Sequence, residues 1–283
     1  LLDLAEFSID GAPFGPEEEI LRLDNLVRDK IGLPRRCAAV AQPWVVPDHP
    51  AKHKVTLRFT VDSEISVPNA HLALEDAEKA EIKLNGVLVD NRTDGYYVDR
   101  AIKTVLLPTI NAGQNTLEVT LPLSERVGLE WCYLVGDFGV RVFGQGKRIT
   151  KLPEKLYFGD IVSQGLPFYG GNITYEIPVK RAGRYTLHVP HYRGGILSVA
   201  DDCGRQNIMI PPYNAAVCTK TDHAILKLTL FGNRYNAFGH VHCANESMRW
   251  LGPDCWRTED DCWSYEYHLR PLGVLSTPKL LKD

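Results

Sequence analysis

AEIKLNGVLVDNRTDGYYVDRAIKTVLLPTINAGQNTLEVTLPL, residues 80–123, is the stretch whose reading decides the fold. Ile82 and Leu84 alternate with Glu81, Lys83 and Asn85, the two-residue period of a strand with one buried face. Asn85-Gly86 marks a turn, because both residues tolerate positive φ. A short strand, Val87 to Val89, leads into a polar loop, DNRTDGYY. Ala112-Gly113-Gln114-Asn115 turns the chain again, into LEVTLPL, where Leu117, Val119 and Leu121 share a face. Short alternating segments separated by turns are the pattern of an antiparallel β-sandwich.

Working outward, KVTLRFTV (54–61) alternates cleanly, and His71 to Leu74, Thr104 to Leu107 and Tyr133 to Arg141 complete a first domain over residues 1–150. Pro16 to Ile31, PEEEILRLDNLVRDKI, predicts one helix. Pro16 suits its first position, Glu17 to Glu19 its positive end, and Arg28 and Lys30 its negative end. Ile20, Leu23, Val27 and Ile31 form its apolar face, its charges are expected on a solvated face, and Gly32 and Pro34 stop it. Beyond a Gly/Pro-rich stretch, residues 151–283 repeat the plan. Asn172 to Val179 and YTLHVP are strands, Ile196 to Ala200 is the counterpart of IKLNG with DDCGR as its turn, and Ile225 to Phe231 corresponds to NTLEVTL. WSYEYHL, 263–269, is read as a last strand. A pattern recurring at this scale predicts two tandem sandwiches, all-β apart from the N-terminal helix.

At 283 residues, two domains of ordinary size are expected. A net charge of −3 leaves no basic stripe for phosphates, so no nucleic-acid partner is expected. No apolar run reaches the length of a membrane span, and no membrane partner is expected either. LLDLAEF lacks an initiating Met and a signal-peptide layout, and reads as a piece of something longer. Seven irregularly spaced cysteines predict mostly reduced thiols, no disulfide needed for the fold, and a cytoplasmic location. His240, His242, Cys243, Cys255 and Cys262 are zinc-ligand types without the close Cys pair of structural sites, and are read as ordinary buried thiols and loop histidines. Asp201-Asp202 is weighed between a calcium ligand and a solvated turn. The sequence calls for no cofactor.

Two motifs carry a family resemblance. "IKLNG", a loop with aromatics, and "AGQNTLEVTL" resemble the galactose-binding-like sandwich that accompanies family 2 and rhamnosidase-type glycoside hydrolases. The order LDLAEFSIDG, helix, QPW, strands, LNG, AGQN, LEWCYLVGDFGV resembles the region after the catalytic barrel in large bacterial glycoside-hydrolase-like proteins, over nearly the whole chain. The resemblance implies two tandem galactose-binding-like jelly-roll sandwiches. It implies a non-catalytic accessory region that binds carbohydrate or supports a catalytic domain of the same parent chain. Two alternatives stay open: a structural buttress that touches no sugar, and a self-sufficient glycosidase whose carboxylate pair lies among Asp137, Asp160, Glu176, Asp254, Glu259 and Asp260.

Three loop sets of the second half concentrate the side chains that hold sugars: Pro190–Gly195, Gly232–Asn236 running on to His240 and His242, and Trp250–Asp261. Tyr235 or Trp256 supplies a stacking platform, Arg193 or Arg234 paired hydrogen bonds, and Tyr192 and Asn236 further contacts. The competing reading makes the aromatics plugs for the sandwich end and the arginines loop pins. Tyr96-Tyr97 and Asp99 are a second place where such modules bind ligands, although Tyr97 also reads as strand entry.

Overall fold

A computed structural model describes residues 1–35, 49–245 and 262–282, and the protein it describes is mostly antiparallel β-sheet. Gln42-Pro43-Trp44, Cys37, Cys255 and Trp256 lie outside the described residues. The chain divides into two compact units. The first is Leu1–Leu152 with His242–Tyr267, and the second is Pro153–Val241 with His268–Asp283. A linear division after residue 150 leaves out this return of the chain to the first unit.

Strands of the first unit are β1 (Leu4–Ile9), β2 (Gly15–Glu19), β3 (His53–Ser63), β4 (His71–Leu74), β5 (Glu81–Leu84), β6 (Val87–Val89) and β7 (Thr93–Tyr96). They continue with β8 (Lys103–Leu106), β9 (Gly113–Leu123), β10 (Tyr133–Val135), β11 (Gly139–Phe143) and β12 (Gly146–Thr150). One sheet runs β11-β12-β3-β9-β5-β6, with β1 and β2 beside β3, and another runs β10-β4-β8-β7. The expected strand Tyr133–Arg141 is thus two strands in two sheets. The alternating apolar residues are the core: Val55, Leu57, Ile82, Val105 and Val119 have no exposed surface.

The two deciding motifs meet. Asn85 and Gly86 take φ of 52° and 79°, the left-handed pair a tight hairpin between twisted strands requires. The Asn85 amide donates to Asn115 Oδ1 (2.9 Å) and accepts from the Thr116 N–H (2.9 Å). Asn115, 1% exposed, holds the second turn by donating to Asn111 O (2.7 Å). The turns of LNG and AGQN are therefore one polar clasp.

The helix begins later than the sequence predicts: α1 is Ile20–Ile31, because Gly15–Glu19 pairs with β1 instead. Glu19 Oε2 caps the helix by accepting from the N–H groups of Leu21 (2.9 Å) and Arg22 (3.1 Å). Ile20, Leu23 and Val27 are fully buried, and Gly32 ends the helix at φ 72°. The expectation of a solvated charged face fails at Arg28 and Asp24. Both are buried, bonded at 2.8 Å, and tied to the Val127 carbonyl and the Leu129 N–H.

The second unit holds β13 (Ile173–Val179), β14 (Gly183–His188), β15 (Tyr192–Arg193), β16 (Ile196–Asp201), β17 (Gly204–Ile208), β18 (Asn214–Thr219) and β19 (Ala224–Phe231). After the four-residue helix α2 (Tyr235–Phe238) come β20 (Gly273–Val274) and β21 (Lys279–Lys282). Its sheets run β13-β19-β16-β17, β18-β14-β21 and β15-β20. The first matches β3-β9-β5-β6 strand for strand in chain order, and β21-β14-β18 matches β10-β4-β8. Leu187, Leu197, Leu226, Leu228 and Leu230 centre its core.

Two expectations are corrected. Residues 263–269 form no strand; Trp263 makes one bridge to Cys243, and 263–267 belong to the first unit. Cys203 and Cys218 form a disulfide, which departs from the expectation of reduced thiols at these two positions, whereas Cys132 and Cys243 are free thiols. Among the described residues no helix is long and apolar enough to cross a membrane.

Candidate functional site

Three backbone crossings gather one end of the second unit, and glycine makes each possible. Gly195 donates to Phe231 O at 2.7 Å, and a Cβ on Gly194 would lie 2.6 Å from Leu230. A Cβ on Gly232 would lie 2.2 Å from the Gly171 carbonyl, and one on Gly170 would meet the Arg234 stem at 2.9 Å. The HYRGG and FGNRYN loops are therefore neighbours, packed on Gly170-Gly171.

Each expected binding residue of the described chain has a definite place here. Tyr192 and Arg193 are β15, paired to Val274 and Gly273, and the Tyr192 ring meets Tyr213 edge-on at 5.2 Å. Burial raises the Tyr192 phenol above its ordinary value, with Tyr213 adding to it. Arg193 and Arg234 are exposed, and among the described residues neither guanidinium has a carboxylate partner. The Tyr235 ring is covered by the Arg270 guanidinium, 3.7 Å from its centroid. Asn236 is buried; its amide donates to Arg270 O and accepts from Arg270 N–H, both at 2.9 Å. Asn236 thus fixes Arg270 over Tyr235, and its amide faces the backbone. Burial lowers His240 below the ordinary histidine value, and Arg270 adds to this. Trp256 lies outside the described residues. The second unit carries 12 Lys and Arg against 7 Asp and Glu, and the first 20 against 28, a polarity that the net charge of the whole chain hides.

Two buried, perturbed carboxylates were not among the expected ones. Asp3 has no exposed surface and accepts from three side chains: Lys147 Nζ, Tyr267 Oη (2.8 Å) and His242 Nε2 (2.9 Å). Its burial opposes ionisation, yet Lys147 and His242 hold the carboxyl well below the usual range. The Tyr267 phenol is pushed up by burial and by Asp3. Next to it in the same unit, burial raises Glu19 to about 7 against the pull of the Trp131 indole N–H (2.6 Å) and two backbone donors. Arg22 lies over Trp263 and Tyr265, and Tyr265 Oη donates to Glu18 (3.0 Å). This cluster docks the returning segment on the first unit. Asp3 sits inside LLDLAEF, where no spacing signals a partner 239 positions away.

The expected catalytic carboxylates are placed differently. Asp160 Oδ1 accepts the Val162 and Leu272 N–H groups, both at 3.0 Å, while Asp137 and Glu176 are exposed. Asp254, Glu259 and Asp260 lie outside the described residues. Of the zinc-ligand types named in the sequence, His242 bonds Asp3 and the Cys243 thiol donates to Asn245 O, while Cys255 lies outside the described residues. Among the described residues, the side chains close enough to share one metal ion are Asp201, Cys203 and Cys218. Tyr96 is exposed, and the Tyr97 ring packs 5.2 Å from Tyr133.

No known family pattern and no curated protein matches the chain. Among solved structures it is similar to an anti-sigma factor domain-containing protein from Clostridium clariflavum, at 11% identity, covering 82% of this chain and 90% of that one, with a TM-score of 0.26. A second anti-sigma factor domain-containing protein aligns at 10% identity over 83% and 90%, also at 0.26. At that score the likeness carries no argument about fold or activity. The glycoside-hydrolase resemblance of the sequence finds no counterpart in these comparisons and is corrected. Neither of these two is described as a glycoside hydrolase, and no family pattern or curated protein ties this chain to one. The accessory, carbohydrate-binding role is withdrawn with it.

Proposed function

We propose that this chain is a non-catalytic binding module, built as two tandem β-sandwiches of the galactose-binding-like jelly-roll type, whose second unit takes a carboxylate-bearing ligand at its loop end. The matching strand orders of the two units support the tandem reading. The observation that carries the ligand is the pair Arg193 and Arg234, exposed on adjoining loops without acidic partners among the described residues, in the basic unit. A guanidinium offers a planar fork that fits a carboxylate with two parallel hydrogen bonds. Arg270 stacked on Tyr235 adds fixed positive charge behind them. The non-catalytic part is supported by the bonding of Asp3 and Glu19, whose carboxyls hold the first unit together. Two arginines make a local site and no phosphate-tracking stripe, so nucleic acid and membrane are not the proposed partners. A cytoplasmic location stays within the proposal, and counting thiols in protein alkylated inside the native host tests it, since disulfides persist in oxidising compartments.

The test is calorimetric titration of the full chain with a short Glu-rich peptide. A Kd on the order of 0.1–1 mM is expected, because a shallow rim buries little ligand. Arg193→Ala and Arg234→Ala should each weaken it about tenfold, as loss of a charge-assisted hydrogen bond does. Absence of heat with the parent chain, or unchanged affinity in both variants, overturns the site.

A further inference from the structure

The turn that joins β16 to β17 is held by its own acids. Asp201 Oδ1 accepts the N–H groups of Cys203 and Gly204, both at 2.8 Å. Asp201 Oδ2 reaches the neighbouring sheet and accepts the Cys218 N–H at 2.7 Å. Asp202 accepts the Lys220 N–H at 2.7 Å. Cys203 and Cys218 are joined as a disulfide with their Cα atoms 6.0 Å apart. None of the four hydrogen bonds passes through sulfur, so the turn and β18 stay together when the S–S bond is cleaved.

Reduction would therefore leave two thiols facing each other beside a carboxylate, rather than two free ends. The three ligand atoms already lie within 4.8 Å of one another. Cys203 is exposed, which gives an ion a path from solvent. Two sulfurs and one carboxylate oxygen suit zinc or cadmium; calcium and magnesium prefer shells of oxygen alone. Calcium would need about six to eight oxygens, and Asp201 and Asp202 supply only part of such a shell.

We propose that Asp201, Cys203 and Cys218 form a binding site for one soft divalent cation when the disulfide is reduced, so that this turn exchanges a covalent bridge for a metal bridge. The reduction takes two electrons and two protons from a dithiol, which becomes a disulfide, or two electrons from a phosphine, which becomes its oxide while water supplies the two protons and the oxygen. Metal binding then displaces both thiol protons. The ion gains two thiolates and Asp201 Oδ2 through the one lone pair no N–H group uses, and water fills the fourth position.

The test uses the full chain, reduced with a phosphine, desalted without oxygen, and titrated with cobalt(II) as a spectroscopic substitute for zinc. One equivalent should produce a thiolate-to-cobalt band in the near ultraviolet and tetrahedral bands in the visible, both removed by zinc. Zinc should release about two protons per ion near neutral pH. The disulfide form of the same protein and the variant C203S/C218S should give no band, and Asp201→Asn should weaken binding about tenfold. Should the double variant fail to fold, the oxidised parent remains as the control. Absence of bands in the reduced protein refutes the site, as do bands that persist in the oxidised protein, which would belong to other cysteines.

Discussion

Replacing Glu19 with Gln should remove a pH dependence from the stability of the first unit. The Glu19 carboxyl is buried, caps α1, and accepts the Trp131 indole N–H. Burial holds its proton up to a pH of about 7, against 4.5 for an unperturbed glutamate. Between those values the folded protein binds a proton that the unfolded chain has released. The stabilisation is whole below pH 4.5 and is lost as pH rises through 7. At about 1.36 kcal/mol per pKa unit the loss amounts to roughly 3 kcal/mol. Asp3 acts in the opposite direction, since its depressed carboxyl contributes above the ordinary aspartate range and loses that contribution as pH falls. The two buried acids together predict greatest stability of this unit near pH 4.5–5, where Asp3 is ionised and the unfolded chain has only begun to release the Glu19 proton. The tryptophans of the described residues, Trp131 and Trp263, lie in the first unit, so urea unfolding followed by indole fluorescence reads this unit. The parent should lose stability between pH 5 and pH 8, and Glu19→Gln should be nearly flat. Equal slopes in parent and variant, or a parent that gains stability over that range, would show that Glu19 is ionised throughout and refute the reasoning.

Asp3→Asn should cost about 3 kcal/mol in the same fluorescence assay, because it leaves the Lys147 charge without its buried partner; a cost below about 1 kcal/mol would mean that the cluster contributes little. Gly232→Ala should destabilise the second unit by about 3 kcal/mol, since the added methyl falls 2.2 Å from the Gly171 carbonyl, and thermal unfolding by circular dichroism measures it; an unchanged midpoint would show that the loops part freely.

Alternation made the strands legible: wherever one face of a strand is buried, every second residue is apolar, as at Val55, Leu57, Phe59 and Val61. The turn residues were legible for the same local reason, because Asn85-Gly86 and Gly32 need positive φ. Long-range polar bonds leave no such trace. Asp3 to His242, Glu19 to Trp131 and Arg28 to Val127 join residues about a hundred or more positions apart, and each charged side chain read as ordinary surface. The start of α1 was misplaced because Pro16 and three glutamates also suit an edge strand, and only the pairing of β2 with β1 decides between them. Within the loop end, the adjacency of HYRGG and FGNRYN could be anticipated from strand ends. The use of Asn236 could not, since an amide that clamps Arg270 and one that binds a ligand look alike in sequence.

The two units also show how one topology supports different chemistry. The same hairpin, β5–β6 in one and β16–β17 in the other, carries at its turn a polar side chain that accepts N–H groups from a neighbouring strand. In the first unit that side chain is Asn85, a neutral amide facing another amide, and the clasp can only hold. In the second it is Asp201, a carboxylate facing two sulfurs. A carboxylate holds the turn by three N–H groups and leaves one lone pair over. The substitution of acid and thiols for amides at this corner turns a structural clasp into a group of ligands, and explains why a metal site is proposed in one unit and not at the matching corner of the other.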